Sequence, residues 1–241
     1  MSKSVLLLFI LSWLYQAAKA QDNVADSAYS KAAYNNAVDI YHKYTDKQSR
    51  LYNGWLHIGY SNKIEGFAYY PENAWQNGTV VYDGISFPGV NMLYDVYKDE
   101  LIIQHFHKLM QNLHSEKVKE FTFGNRRFIR VVRDSLNNVT LNTGFYEELY
   151  KGKLHLLAKR QKILEETVTD KLEQKFITKN FFYLNRNNTW HTVKSYRDLT
   201  GVLKEKAKEI RQHLKKNKVK YRKNREKALV MAVQYFDATT Q

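Results

Sequence analysis

The decapeptide HFHKLMQNLH, running from His105 to His114, is the densest group of metal-ligating side chains in this 241-residue chain. On a strand His105 and His107 point to one face, where Asp95 or Asp99 across a hairpin would add an oxygen ligand for a divalent ion such as zinc. The spacing fixes no third ligand, so the pair reads more simply as polar residues at a sheet edge. No metal and no other cofactor is expected. The pairs Glu147-Glu148 and Glu165-Glu166 have the residue type for acid–base work on a glycosidic bond, but strand neighbours project to opposite faces, so neither pair is a dyad. The chain has no Cys, which excludes thiol catalysis, zinc thiolates and disulfides. It also lacks a G-x-S-x-G elbow, a Ser-x-x-Lys pair, a phosphate-binding loop and a dinucleotide fingerprint. No catalytic residue is assigned.

Two other sets suit binding. Lys+Arg number 38 against 24 Asp+Glu, a formal net charge of +14, and much of the excess lies at the C-terminus. There KKNKVKYRKNREK, Lys215 to Lys227, places Lys218, Lys220, Arg222, Lys223 and Arg225 around Tyr221. Such a stretch can hold an anionic polymer or lipid headgroups, or serve as a solvated connection between helices. The second set is apolar: Met92, Leu93, Ile102, Phe106 and Phe121 would line the concavity of a curved sheet and shelter an acyl chain.

These residues need elements to position them. Met1–Ala20 has the form of a signal peptide, with Lys3, the apolar run Val5–Tyr15 and Ala18-Lys19-Ala20 before the cleavage point. The apolar run is too short for a bilayer core of roughly 30 Å, so no transmembrane segment is expected after cleavage. Residues 21–50 read as helical, from Ala33, Ala37, Ile40 and Tyr44 at helical spacing. Residues 51–194 read as an antiparallel β domain of about nine strands in a meander, which could be a curved sheet, a half-barrel or a barrel. Val90, Met92, Tyr94 and Val96 share one face of such a strand. Leu154–Glu166 and Leu172–Asn185 form a long hairpin, and both prolines, Pro71 and Pro88, are placed in connections. Residues 195–241 return to a helical period: Ser195 caps a helix, Leu203, Ala207, Ile210 and Leu214 form one stripe, and Leu229, Val233 and Phe236 another. The expected class is therefore α+β, β-rich, with an N-terminal helix and basic C-terminal helices packed on the sheet.

One repeat bears on the site question. LYNGWLHI at Leu51–Ile58 is echoed by LYKGKLHL at Leu149–Leu156. With YDG at Tyr82–Gly84, the pattern reads as hairpin-turn chemistry used more than once, glycine supplying a positive φ, rather than a repeated ligand motif.

The order W-x-x-G-x-V-x-Y-D-G (Trp75–Gly84), LYDVYKDELII (Leu93–Ile103) and FYEELYKGKLHLLAKR (Phe145–Arg160), followed by TVKSYRDLTGVL and a Lys-rich ending, resembles uncharacterised exported proteins of Bacteroidota. The resemblance covers most of the chain after the leader. It implies export to a bacterial envelope and brings no catalytic residues. The expectation is an exported, non-enzymatic periplasmic or cell-surface protein with a binding or structural role. The alternatives are a half-barrel carrier of a lipid or other apolar ligand, and a hydrolase acting on a surface polymer. Expected partners are another envelope protein, lipid or an anionic surface polymer, and not nucleic acid.

Overall fold

The computed structural model describes residues 29–34, 36, 37, 40, 50–104, 108–134, 140–168 and 171–240. The signal-peptide expectation, His105, Phe106 and His107 lie outside them. Two compact units divide the chain at Ser49/Arg50. In the first, residues 29–34 are helical and exposed.

The second unit is built on one antiparallel sheet of twelve strands. The strands are β1 (Trp55–Leu56), β2 (Tyr69–Tyr70), β3 (Gln76–Tyr82), β4 (Ile85–Asp95), β5 (Glu100–Gln104), β6 (Met110–Asn112), β7 (Val118–Phe123), β8 (Arg126–Val131), β9 (Gly144–Lys151), β10 (His155–Val168), β11 (Leu172–Arg186) and β12 (Thr189–Thr192). Their order is β1-β6-β5-β4-β3-β7-β8-β9-β10-β11-β12, with β2 pairing β4 off that path. The sheet ends at β1 and β12 without closing, so the barrel form of the expectation does not hold.

Alternation decides the two faces. Met92, Tyr94 and Val96 join Phe121, Phe128 and Phe145 in one core, while Leu93 and Ile102 turn the other way with Tyr69. The ring of Tyr94 on β4 lies 5.2 Å from Phe128 on β8 and 6.0 Å from Phe145 on β9. In a flat sheet, strands four places apart stand about 19 Å apart at ~4.8 Å each. The sheet therefore bends until its own aromatic side chains fill the inner face.

Three helices follow: α1 (Tyr196–Val202), α2 (Ala207–Lys216) and α3 (Arg225–Thr239). The hydroxyl of Ser195 accepts from the Asp198 amide, and the Asp198 carboxylate accepts from the Ser195 amide, a reciprocal cap that starts α1. Leu199, Leu203, Ile210, Leu214, Leu229, Val233 and Phe236 are buried against Leu154, Leu156, Phe182 and Leu184 of the sheet. Arg186 on β11 forks onto Glu205 and also donates to the Val202 carbonyl, fixing the first helical turns to the strand.

Two expectations change. Pro88 is inside β4, not in a connection: the register between β3 and β4 shifts from Gly78↔Val90 to Val80↔Phe87, and Pro88-Gly89 is taken up in that bulge. The echoed octapeptides do not share a structure either. The first is a 3-10 turn (Arg50–Tyr52) running into β1, and only the second makes a hairpin, between β9 and β10. Positive φ belongs to Asp83 (50°) and Gly84 (79°) of YDG, not to Gly54 or Gly152. Those two are small because of what they touch: a Cβ on Gly54 would lie 2.1 Å from the Asn112 carbonyl oxygen, and one on Gly152 2.4 Å from the Asp237 carboxylate.

Candidate functional site

The five basic residues singled out in the C-terminal stretch part company in the fold. Arg225 turns inward, donates to the Val193 carbonyl and stacks over Phe182 at 4.8 Å, a packing role. Arg222 and Lys223 are exposed. Lys218 and Lys220 line a pocket of about 430 Å³ with Arg211, Lys215, Tyr196 and Tyr221, over a floor of Leu214 and Val219.

Local structure explains this convergence. Arg211 and Lys215 are one helical turn apart on α2 and so share a face. The chain leaves α2 through Asn217, whose amide donates to the His213 carbonyl. Lys218 adopts φ 56°, and the Val219 amide donates to the Leu214 carbonyl, folding Val219 back under the helix end. Cations on the last turn of a helix complement its dipole, so part of this arrangement serves α2 itself. Among the described residues, however, none of Arg211, Lys215, Lys218 and Lys220 takes part in an ion pair. The rings of Tyr196 and Tyr221 meet edge to face at 5.5 Å. Burial raises both phenols, against the nearby guanidinium of Arg211 for Tyr196 and of Arg225 for Tyr221. Four unpaired cations around an apolar floor can hold an anion that carries an apolar body.

The acidic groups of the sheet that could do chemistry are already engaged. Glu147 accepts from Arg126 at 2.9 Å and from Arg160 at 2.6 Å, and Arg160 reaches Glu226 on α3 at 2.7 Å. Burial acts to lower the Arg160 guanidinium, but hydrogen bonding to Glu226 and the Glu147 charge outweigh it and raise it. Its neighbour Glu148 serves Arg127 and His155 instead, so the two adjacent carboxylates have separate partners. Asp99 binds Lys159 at 2.6 Å and the Tyr94 hydroxyl at 2.5 Å. Asp95, fully buried, accepts from the Tyr60 hydroxyl at 2.5 Å and from the amides of Tyr97 and Lys98. Glu166, of the other acidic pair, accepts from Gln174 across the β10–β11 hairpin.

The apolar set does not assemble into one lining. Met92 and Phe121 are fully buried in the aromatic core of the inner face, whereas Leu93 and Ile102 belong to the cluster on the other. Of the pocket's residues, Lys215 opens the basic stretch without being among the five singled out, and Arg211, Tyr196 and the floor carry no such mark in the sequence. The i, i+4 spacing of Arg211 and Lys215, with Leu214 beside them, was the available signal.

No protein family, no curated protein and no solved structure matches this chain. Among the described residues no helix is long and apolar enough to cross a membrane.

Proposed function

We propose that this is an exported, non-enzymatic protein of a bacterial envelope that binds anionic envelope material through its C-terminal pocket. The observation that carries the reading is the cluster of Arg211, Lys215, Lys218 and Lys220, unpaired and gathered over Leu214 and Val219 with two tyrosines. Phosphate or carboxylate headgroups satisfy the cations, and the floor receives the adjoining hydrocarbon. Lipid and anionic surface polymers fit this chemistry. Nucleic acid is not the expected partner of an exported chain.

Two features weigh against the alternatives, one against catalysis and one against a carrier. The buried carboxylates Asp95 and Glu147 and the half-buried Asp99 are each held by two or more donors, which leaves none as a free general acid or base. We read the bent sheet as a half-barrel, and its inner face is occupied by Tyr94, Phe121, Phe128 and Phe145. That filling counts against the alternative of a carrier storing an acyl chain there.

The test is co-sedimentation with vesicles of phosphatidylglycerol and phosphatidylcholine over a salt series. Retention on anionic vesicles that falls steeply between 0.1 M and 1 M salt is expected, because the Debye length shrinks from about 10 Å to about 3 Å. Absence of salt-sensitive retention would refute the proposal.

A further inference from the structure

A second recess, of about 450 Å³, lies away from the basic stretch and has the opposite chemistry. It is lined by part of the segment between Gly59 and Trp75, whose Lys63, Glu65 and Glu72 stay out of the lining, together with Leu93, Met110 and Phe176. Its aromatic residues are Tyr60, Phe67, Tyr69, Trp75 and Phe176, and its polar side chains include Ser61, Asn62 and Asn73. In a chain with 26% charged residues and a net charge of +14, no Lys, Arg, His, Asp or Glu among the described residues lines this recess.

Its walls are fixed from behind. The Tyr60 hydroxyl is held by the buried Asp95 carboxylate, and its ring meets Phe176 edge-on at 5.2 Å and Tyr97 at 5.8 Å. Phe67, Trp75 and Met110 remain partly exposed while packing on Tyr69, Leu93 and Ile102. Asn62 and Asn73 are exposed. The result is an aromatic surface with two exposed amide side chains and no charged side chain among its described lining residues.

We infer that this recess is a binding site for an uncharged carbohydrate. Sugar rings present an apolar C–H face, which packs on aromatic rings, and hydroxyls, which exchange hydrogen bonds with amide side chains. A peptide fits less well. An extended peptide adds to a sheet by pairing with free backbone groups along an edge. Here the carbonyls of Phe67 and Tyr69 already accept from Lys162, at 2.6 Å and 2.9 Å. A charged ligand would find no counter-ion among the described lining residues. This inference is independent of the anion-binding pocket, which shares no residue with the recess.

The experiment is affinity gel electrophoresis of the full chain through soluble dextran, laminarin, yeast mannan and galactomannan, with a neutral hydrophobic heptapeptide titrated separately by fluorescence. Retardation by at least one of the four glycans, insensitive to salt, is expected. Trp75→Ala should weaken it at least fivefold. Because Trp75 also packs on the sheet, the double variant N62A/N73A, which touches only exposed side chains, should weaken it at least threefold with unchanged thermal unfolding. Lys218→Gln should leave it unchanged. Failure of all four glycans to retard the protein, retardation indifferent to both sets of changes, or saturable binding of the peptide instead would overturn the inference.

Discussion

Replacing Glu147 by Gln tests whether the buried charges are structural. Glu147 and Arg160 keep only 5% and 3% of their side-chain surface exposed, and Arg160 Nη2 already lacks a hydrogen-bond partner. An amide at position 147 retains the shape but leaves the guanidinium without its nearer counter-charge. Breaking a buried pair by removing one partner costs about 3–5 kcal/mol, since the other charge stays desolvated. For a folded unit of this size about 1 kcal/mol corresponds to roughly 2–4 °C, so the melting temperature should fall by about 6–20 °C. Glu226 is 40% exposed and sits at the other end of Arg160. Its replacement by Gln should cost about 1 kcal/mol or less, because water screens the exposed partner. Thermal and urea unfolding followed by near-ultraviolet circular dichroism measure both. A Glu147→Gln protein within 1 kcal/mol of wild type, or a Glu226→Gln protein equally damaged, would refute this account of the network.

Stability should also depend on pH through Lys162, whose ammonium burial pushes down to about 8. A free lysine titrates near 10.4, so between these values the folded state binds fewer protons than the unfolded one, and stability rises with pH. The cost of burying the charge is complete below pH 8 and is relieved towards pH 10, by about 3 kcal/mol at most. Lys159, lowered by burial against the opposing pull of Asp99, contributes in the same direction. Tyrosines such as Tyr94, Tyr146 and Tyr183, whose phenols burial raises, oppose the rise as pH nears 10. The Lys162 contribution is therefore read as wild type minus Lys162→Met: in urea unfolding wild type should gain on the variant between pH 7.5 and 9.5, and an unchanged difference would contradict it. Substituting the two echoed glycines should separate them. Gly54→Ala drives a methyl into the Asn112 backbone carbonyl and should cost on the order of 3 kcal/mol. Gly152→Ala meets only the Asp237 and Tyr150 side chains, which can turn aside, and should cost less; equal losses in chemical denaturation would show that the backbone contact does not govern.

What the sequence discloses depends on how local the signal is. The β10–β11 hairpin, the faces of β4, the Ser195 cap and the stripes through Ile210 and Val233 rest on periods of two or 3.6 residues, and the fold follows them. The strands β1, β2 and β6 are two or three residues long, too short to show a period, which is why twelve strands read as about nine. Pro88 breaks the alternation and so reads as a connection, although a bulge carries it within one strand. Octapeptides of matching sequence form different structures because their surroundings differ: β6 packs against Gly54, α3 against Gly152. The basic pocket was half visible, since Lys218 and Lys220 stand in a charge run, while Tyr196 and Arg211 reach it only through the helix connections. The uncharged recess draws on residues near positions 60, 75, 93, 110 and 176, and no spacing rule joins them.

The proposed anion site is tested most directly by comparing two double variants of equal charge on anionic vesicles at 0.1 M salt. Lys218→Gln with Lys220→Gln removes two cations from the pocket, whereas Arg222→Gln with Lys223→Gln removes two exposed cations outside its lining. A basic residue near an anionic surface contributes about 1 kcal/mol. The pocket pair should therefore weaken retention about 30-fold, and the outer pair by less than about fivefold, with both proteins unfolding as wild type does. Equal losses would mean that diffuse charge, not a site, holds the protein to the surface, and would contradict the proposal.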